Sequence, residues 1–411
     1  MGCAEAQALG MVALPIVTVS HPVGGLKPEA IQTKADTVVE MVIQAATQAP
    51  TPPHAARAKA VEHGLASQRI SIPESIEEAN AFFLEQGWGD GLPLIPPTEE
   101  RVERMVAACR RDPQQLVAVL PPAWAEATLE KVAVNAVMAG CLPQYLPVVL
   151  AAVEAMAEER FNLYGIQATT HPCGPLLIVN GPKSRGLGIA SGYGAFGPGP
   201  GHRANASIGR AIRLVLLNIG GARPGDLDRS TQGQPSKYSY CVAENESASP
   251  WAPLHVDLGF APEVSTVTVL AAENPHNIND HESTTARGVL TTVAGTAAAV
   301  GSNNATYMTG EVMIALGPEH AATVAADGFS KQDVKSFIFD HARVPIARLS
   351  RENILKRRTN PRHFGAFHDD DEVPIVKSKD DIMVIVVGGA GKHSSFIPTF
   401  GMTHYVTRAI T

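Results

Sequence analysis

Four short apolar runs, Pro175–Asn180, Ser265–Ala271, Glu311–Leu316 and Asp381–Val387, set the strongest limit on what this chain can fold into. Each reads as a strand buried on both faces. Helical patterns lie among them at about 203–219, 286–300, 318–326 and 330–340. The third has Pro318 at its first position and Gly328 just past its end, and the fourth opens on the capping box Ser330-x-x-Asp333. Strands alternating with helices specify an α/β protein in which mixed sheet layers pack with helices. No internal repeat of fixed period is visible.

The 411 residues suffice for two or three domains of ordinary size. Residues 1–48 read as a small strand–loop–helix unit: a β-prone run over 13–19, the loop His21-Pro22-Val23-Gly24-Gly25, and a helix over 28–47. Residues 49–72, rich in Pro and Ala, read as a linker, and 73–411 as the main α/β domain with a sub-boundary near 165. In that domain a helix over 73–86 stops at the corner Gly87-Trp88-Gly89-Asp90-Gly91-Leu92-Pro93, Thr98 caps the next helix, and core helices follow at 126–140 and 145–159. The N-terminal unit is too small to bury a core alone, so the spacing predicts that it packs on a neighbouring subunit of a homo-oligomer or in cis on the main domain.

Charge narrows the partners. Thirty-three Lys and Arg against forty Asp and Glu leave −7, which supplies no broad basic surface for nucleic acid or an anionic membrane. A local pocket for a small anionic molecule is compatible with it. Five cysteines, an odd number without a C-x-x-C pair, argue against a disulfide framework, and the first residues show no basic-then-apolar signal pattern. A reducing, cytoplasmic compartment is expected.

In open α/β sheets ligands collect past the carboxyl ends of strands. Here those positions hold Gly181-Pro182-Lys183, Glu273-Asn274-Pro275-His276, Gly317-Pro318-Glu319-His320 and Gly388-Gly389-Ala390-Gly391-Lys392-His393. The glycine-rich stretch Gly186–Gly201 runs into a helix start, where free N–H groups and the helix dipole favour an anion. The expected anion contacts are Gly199, Gly201, His202, Arg203, Asn205, Arg210 and Lys392; a surface loop without a ligand is the alternative. His171 lies two residues before Cys173, where an imidazolium would favour thiolate, unless Cys173 is a small buried side chain. Glu244 and Glu246 fall on one strand face, to share a proton, bind a metal or face water. His255, Asp257, His276, Asp280, His281 and Glu282 offer donors for a divalent metal without any recognised metal spacing. The expected catalytic set is His171, Cys173, Glu244, His276 and His393.

The stretch Leu14-Pro15-Ile16-Val17-Thr18-Val19-Ser20-His21-Pro22-Val23-Gly24-Gly25, with the helix after it, resembles the C-terminal end of the UGSC-type (Sec-Gly-Ser-Cys) selenoprotein-like domain. The remainder, through Asp90-Gly91-Leu92-Pro93, Asn135–Cys141, Asn180-Gly181-Pro182 and Ser249-Pro250-Trp251, resembles the region fused behind that domain in bacterial proteins. The Sec-Gly-Ser-Cys motif is not among these residues, so the resemblance implies thiol-related kin and transfers no redox residue. The function expected is an enzyme of lyase or hydrolase type acting on a small anionic metabolite. A thiol-redox protein using Cys173 and a non-catalytic scaffold are the alternatives.

Overall fold

The computed structural model describes residues 6, 11, 14–20, 23, 26–47, 68–307, 310–360 and 365–411. Its first half opens with α1 (Pro28–Thr47), α2 (Ile76–Glu85), α3 (Glu99–Ala107), a ribbon of β1 (Leu116–Leu120) and β2 (Ala125–Thr128), then α4 (Leu129–Met138), α5 (Leu146–Met156) and α6 (Leu163–Ala168). There follow β3 (Gly174–Asn180), α7 (Pro182–Gly186), α8 (Arg203–Asn218), β4 (Cys241–Ala243), α9 (Leu254–Asp257), β5 (Thr266–Ala272) and β6 (His276–Asn279). After α10 (Ala286–Ala297) and α11 (Asn303–Tyr307) come β7 (Val312–Leu316), α12 (Pro318–Ala326) and α13 (Lys331–His341). A small ribbon of β8 (Arg343–Pro345) and β9 (Glu372–Pro374) flanks α14 (Arg351–Thr359), and β10 (Ile382–Val386), β11 (His393–Ile397) and β12 (Val406–Ala409) complete the chain.

Two four-stranded sheets result, ordered β12-β5-β3-β4 and β10-β7-β11-β6. In the first, β3 is parallel to β4 and antiparallel to β5, which is antiparallel to β12. The second repeats this plan: β7 is parallel to β10 and antiparallel to β11, which is antiparallel to β6. The fourth strand of each sheet comes from the other half, since β6 follows β5 and β12 follows β11. The chain therefore contains a duplicated topology with exchanged strands, where the sequence shows no repeat. Its surviving trace is a Gly-Pro pair after β3 and after β7, with Pro182 and Pro318 each opening a helix.

Strand periodicity then assigns the layers. Leu176, Ile178, Val242 and Leu270 of the first sheet share an apolar cluster with Met313, Ala315, Met383 and Ile385 of the second, so the sheets pack face to face. The alternate residues Leu177, Val179, Val267 and Val269 join α4, α5 and α8 in a second cluster. Ile314, Leu316, Ile382 and Val384 join α10, α12 and α13 in a third. The architecture is a four-layer αββα sandwich; β3, β5 and β7 are inner strands, and β10, though at the edge of its sheet, is likewise buried along its whole length.

Some expectations are corrected. Residues 14–19 are not a strand, because no neighbouring chain among the described residues supplies the ladder that would define one. His21, Pro22, Gly24, Gly25, residue 48 and residues 49–67 of the expected linker lie outside the described residues. The helix expected from 126 begins at Leu129, since the preceding residues pair with β1 and Thr128 caps the helix by accepting from the Lys131 N–H. Residues on both sides of 165 share one core, as α5 packs in the same cluster as β5 and β12. Thr98 does sit at its N-cap position, although its side chain makes no capping hydrogen bond.

Candidate active site

The opposite directions of β3 and β5 separate the expected catalytic set. Glu244 follows β4, at the carboxyl end of the β3/β4 pair, whereas His171 precedes β3 and meets Glu273, which follows β5, at the other end: His171 Nε2 lies 2.7 Å from Glu273 Oε1. Cys173 is 1% exposed in the apolar core, and burial pushes its thiol up to about 12. Burial likewise raises Cys141, to about 12, and Cys241. None of these thiols has the thiolate character that nucleophilic or redox work requires. His276 and His393 lie in the second sheet, toward opposite ends of the β6/β11 pair; His393 Nδ1 is 3.0 Å from Asn277 Oδ1 and its ring meets His281 edge-on.

The expected anion groups are largely occupied by the protein itself. Arg210 donates through Nε and NH2 to the two oxygens of Asp90, at 2.7 and 2.8 Å. Arg203 donates to the Gly140 carbonyl, and Lys392 to the carbonyl of His281. Asn205 accepts from the Ala190 N–H and donates to the Ala190 and Cys241 carbonyls, pinning the glycine-rich loop against β4. His202 Nδ1 is 3.1 Å from the Gly188 carbonyl, and Gly199 and Gly201 form an exposed turn. The stretch is a self-bonded loop whose cations are turned to acceptors of the protein itself, Arg210 above all, since leaving its largely buried guanidinium unpaired would be costly.

Glu244 leads to a different place. It is 2% exposed, and its Oε2 accepts from Asn180 Nδ2 at 2.7 Å and from the Leu254 N–H at 2.8 Å. The strand ends at Ala243, so Glu244 and Glu246 are not strand neighbours on one face, yet both accept from Asn180. Burial pushes the Glu244 carboxyl up, opposed by Lys331, whose Nζ lies 3.9 Å from Glu244 Oε1. Lys331 also donates to the Ala252 carbonyl at 2.6 Å and to Asp257 Oδ2 at 2.7 Å. It stands at the first position of α13, where the helix dipole disfavours a cation, and those acceptors offset the conflict.

Beyond Lys331 a cleft of about 350 Å³ opens beside the amino-terminal half of β10. Trp251, Leu254, Leu258, Ile382, Met383 and Val384 give it an apolar wall; Lys331, Lys335, Asp257, Glu311, Asp380 and Tyr405 are its titratable groups. The capping box of Ser330 and Asp333 forms as expected and fixes the start of α13, placing Lys331 and Lys335 one turn apart on the same side. Lys335 makes no hydrogen bond or ion pair among the described residues. Burial, helped by Lys331, pulls its ammonium down against the pull of Asp257 and Asp380. Glu311 lies just ahead of β7; burial pushes it up, and a hydrogen bond between its Oε1 and Nδ1 of His404, 2.8 Å away, opposes this. Its Oε2 is buried without a partner, while the His404 side chain is 65% exposed. A buried carboxyl facing the cleft is thus connected to bulk water through an imidazole.

The cleft lies by the amino end of β10, not past the carboxyl ends where the sequence directs attention. Its chemistry rests on Lys331, Lys335, Glu311 and Tyr405, none of which the sequence reading selected. The capping box at Ser330 was the available signal for the lysines; Glu311 and His404 meet only through the strand exchange. Among the described residues no group of three or more His, Cys, Asp or Glu is arranged to hold a metal ion, and no helix is long and apolar enough to cross a membrane. Compared with known protein families, with curated proteins and with solved structures, the chain matches none.

Proposed function

We propose that the protein is an enzyme of lyase or hydrolase type that binds a small anionic molecule in the cleft between α13 and β10, with Lys335 meeting the anionic group and Glu311 with His404 moving the proton. The observation that carries this reading is Lys335, a half-buried ammonium that makes no hydrogen bond or close ion pair among the described residues, with Asp257 and Asp380 acting on it only at longer range, in a cleft whose other lysine is engaged by the Ala252 carbonyl and Asp257. An anion would restore the partner that burial withholds. Glu311, raised by burial and half hydrogen-bonded, suits general acid–base work, and His404 gives its proton a route to solvent. The apolar wall suits a compact organic body.

Calorimetric titration with short mono- and dicarboxylates, inorganic phosphate and sugar phosphates tests it. At least one should bind, and Lys335→Met should weaken that binding about tenfold to a hundredfold, the range for a charge-assisted hydrogen bond. Lys392→Met, at the glycine-rich alternative, should leave it unchanged. Binding that survives Lys335→Met, or depends on Lys392, overturns the assignment.

The surroundings of α1 support assembly as part of the same reading. None of its residues is buried, and Ile31, Val39, Met41, Val42 and Ile43 are exposed. A second copy of the chain would shield them, consistent with a homo-oligomer. Light scattering should show an oligomer that dissociates when residues 1–60 are deleted, whereas a monomeric wild type would refute it. The four cysteines among the described residues are free, which fits a reducing cytoplasm, and the UGSC-type resemblance adds no reactive residue.

A further inference from the structure

We infer that Lys335 forms an imine with its ligand, so that the small anionic molecule carries an aldehyde or ketone, in the manner of a 2-oxo acid. The inference rests on the cleft being the binding site for an anion, and it adds the bond made there. Its basis is geometric. Lys331 and Lys335 are separated by one turn of α13 and both line the cleft. They differ in one respect: Lys331 is fixed by the Ala252 carbonyl and the Asp257 carboxylate, whereas Lys335 donates to nothing among the described residues.

An amine must be unprotonated and unengaged to attack a carbonyl, and an apolar wall together with a neighbouring cation promotes both conditions. Trp251, Leu254, Leu258 and Met383 supply that wall, and Lys331 the neighbouring charge, set against the carboxylates of Asp257 and Asp380 in the same cleft. The buried Oε2 of Glu311, which has no partner, supplies the second requirement, a carboxyl in the same cleft able to pass a proton to oxygen.

The step balances without a redox partner. The nitrogen lone pair of Lys335 forms a C–N bond to the carbonyl carbon as the C=O π pair moves to oxygen. That oxygen takes a proton, and nitrogen loses one, giving the carbinolamine. A further proton, passed from Glu311 and replenished through His404, lets the hydroxyl depart as water while the nitrogen lone pair forms C=N. Amine, carbonyl compound and one proton become a protonated imine and water. In a 2-oxo acid the carboxylate adjoins this new cation, one turn from Lys331.

The test uses the full chain with pyruvate and cyanoborohydride, followed by proteolysis and mass spectrometry to locate carboxyethyl-lysine. Lys335 should be modified at least tenfold faster than Lys392, whose amine is held by the His281 carbonyl. Propionate, which has the charge but no carbonyl, should bind and suppress the labelling. Lys335→Arg should retain propionate and give no adduct at 335. Propionate binding that depends on Lys335, without preferential pyruvate adduct there, overturns the imine and leaves the anion site standing. Labelling of Lys335 by acetone as efficiently as by pyruvate keeps the imine and overturns the anionic requirement. If neither anion binds and Lys335 labels no faster than Lys392, both readings fall.

Discussion

Replacing Asp90 with alanine is expected to cost about 3 kcal/mol of folding stability, the lower end of what breaking a buried ion pair costs. In a chain of 411 residues that is a fall of about 3 to 4 °C in Tm. Asp90 is nearly enclosed, and its carboxylate receives both Nε and NH2 of Arg210. The pair fastens the Gly87–Pro93 corner to the middle of α8, with a further bond from Arg210 to the Leu92 carbonyl. Removing the carboxylate leaves a mostly buried guanidinium with that one carbonyl. The lower figure applies because the guanidinium retains it and some exposure.

The pH dependence gives a second readout. Burial alone would raise the Asp90 carboxyl, but Arg210, with backbone help from Leu92, outweighs it and holds it below its ordinary value. A carboxyl depressed by folding contributes stability that is present above its unfolded value, about 4, and is lost as pH falls through its folded value. The wild type and Asp90→Ala should therefore differ fully at pH 7 and converge under acid. Equal melting at pH 7, or a gap that persists once carboxyls are protonated, would show that the pair does not carry the stabilisation assigned to it.

Asp90 also shows what the sequence made legible and what it did not. The corner around it stops a helix, as its glycines and proline indicate, yet its partner lies in α8, in a stretch whose arginines looked available for a ligand. Local rules located the helix caps and the buried strands, since apolar runs, Pro318, Gly328 and the Ser330 box act within a few residues. What each charge pairs with is decided by strand direction and sheet order, which local patterns do not encode. Glu273 was placed with Lys183 because both follow apolar runs, and the antiparallel setting of β5 sends it to the other end. Glu311 and His404 come together only because β12 returns to the first sheet after β11 has joined the second. The lysines of the cleft carry no motif, and only the occupied state of every neighbouring cation sets Lys335 apart.

The duplicated plan makes the strongest steric prediction. Gly317 ends β7 where β11 begins, and a Cβ there would lie 2.1 Å from the backbone oxygen of His393. Gly181 holds the matching place after β3: a Cβ would come within 2.8 Å of the Ser265 Cα and the Val264 oxygen, at a φ of +84° that also penalises a side chain. Each junction is closed by a serine of the incoming strand, Ser394 accepting from the Gly317 N–H and Ser265 from the Lys183 N–H. Backbone cannot withdraw as a flexible side chain would, so Gly317→Ala and Gly181→Ala should each cost about 3 kcal/mol or more, at or above the usual range for overpacking. Gly295→Ala, within α10 and with open space at its Cβ, should instead gain about 0.5 to 1 kcal/mol. Denaturant midpoints decide the matter. If Gly317→Ala unfolds at the wild-type midpoint, the close approach of β11 to the end of β7 is wrong, and the equivalence of the two halves loses its steric basis. If Gly317→Ala is costly and Gly181→Ala is neutral, the equivalence alone fails, because the second sheet would then close its junction by a contact that the first does without.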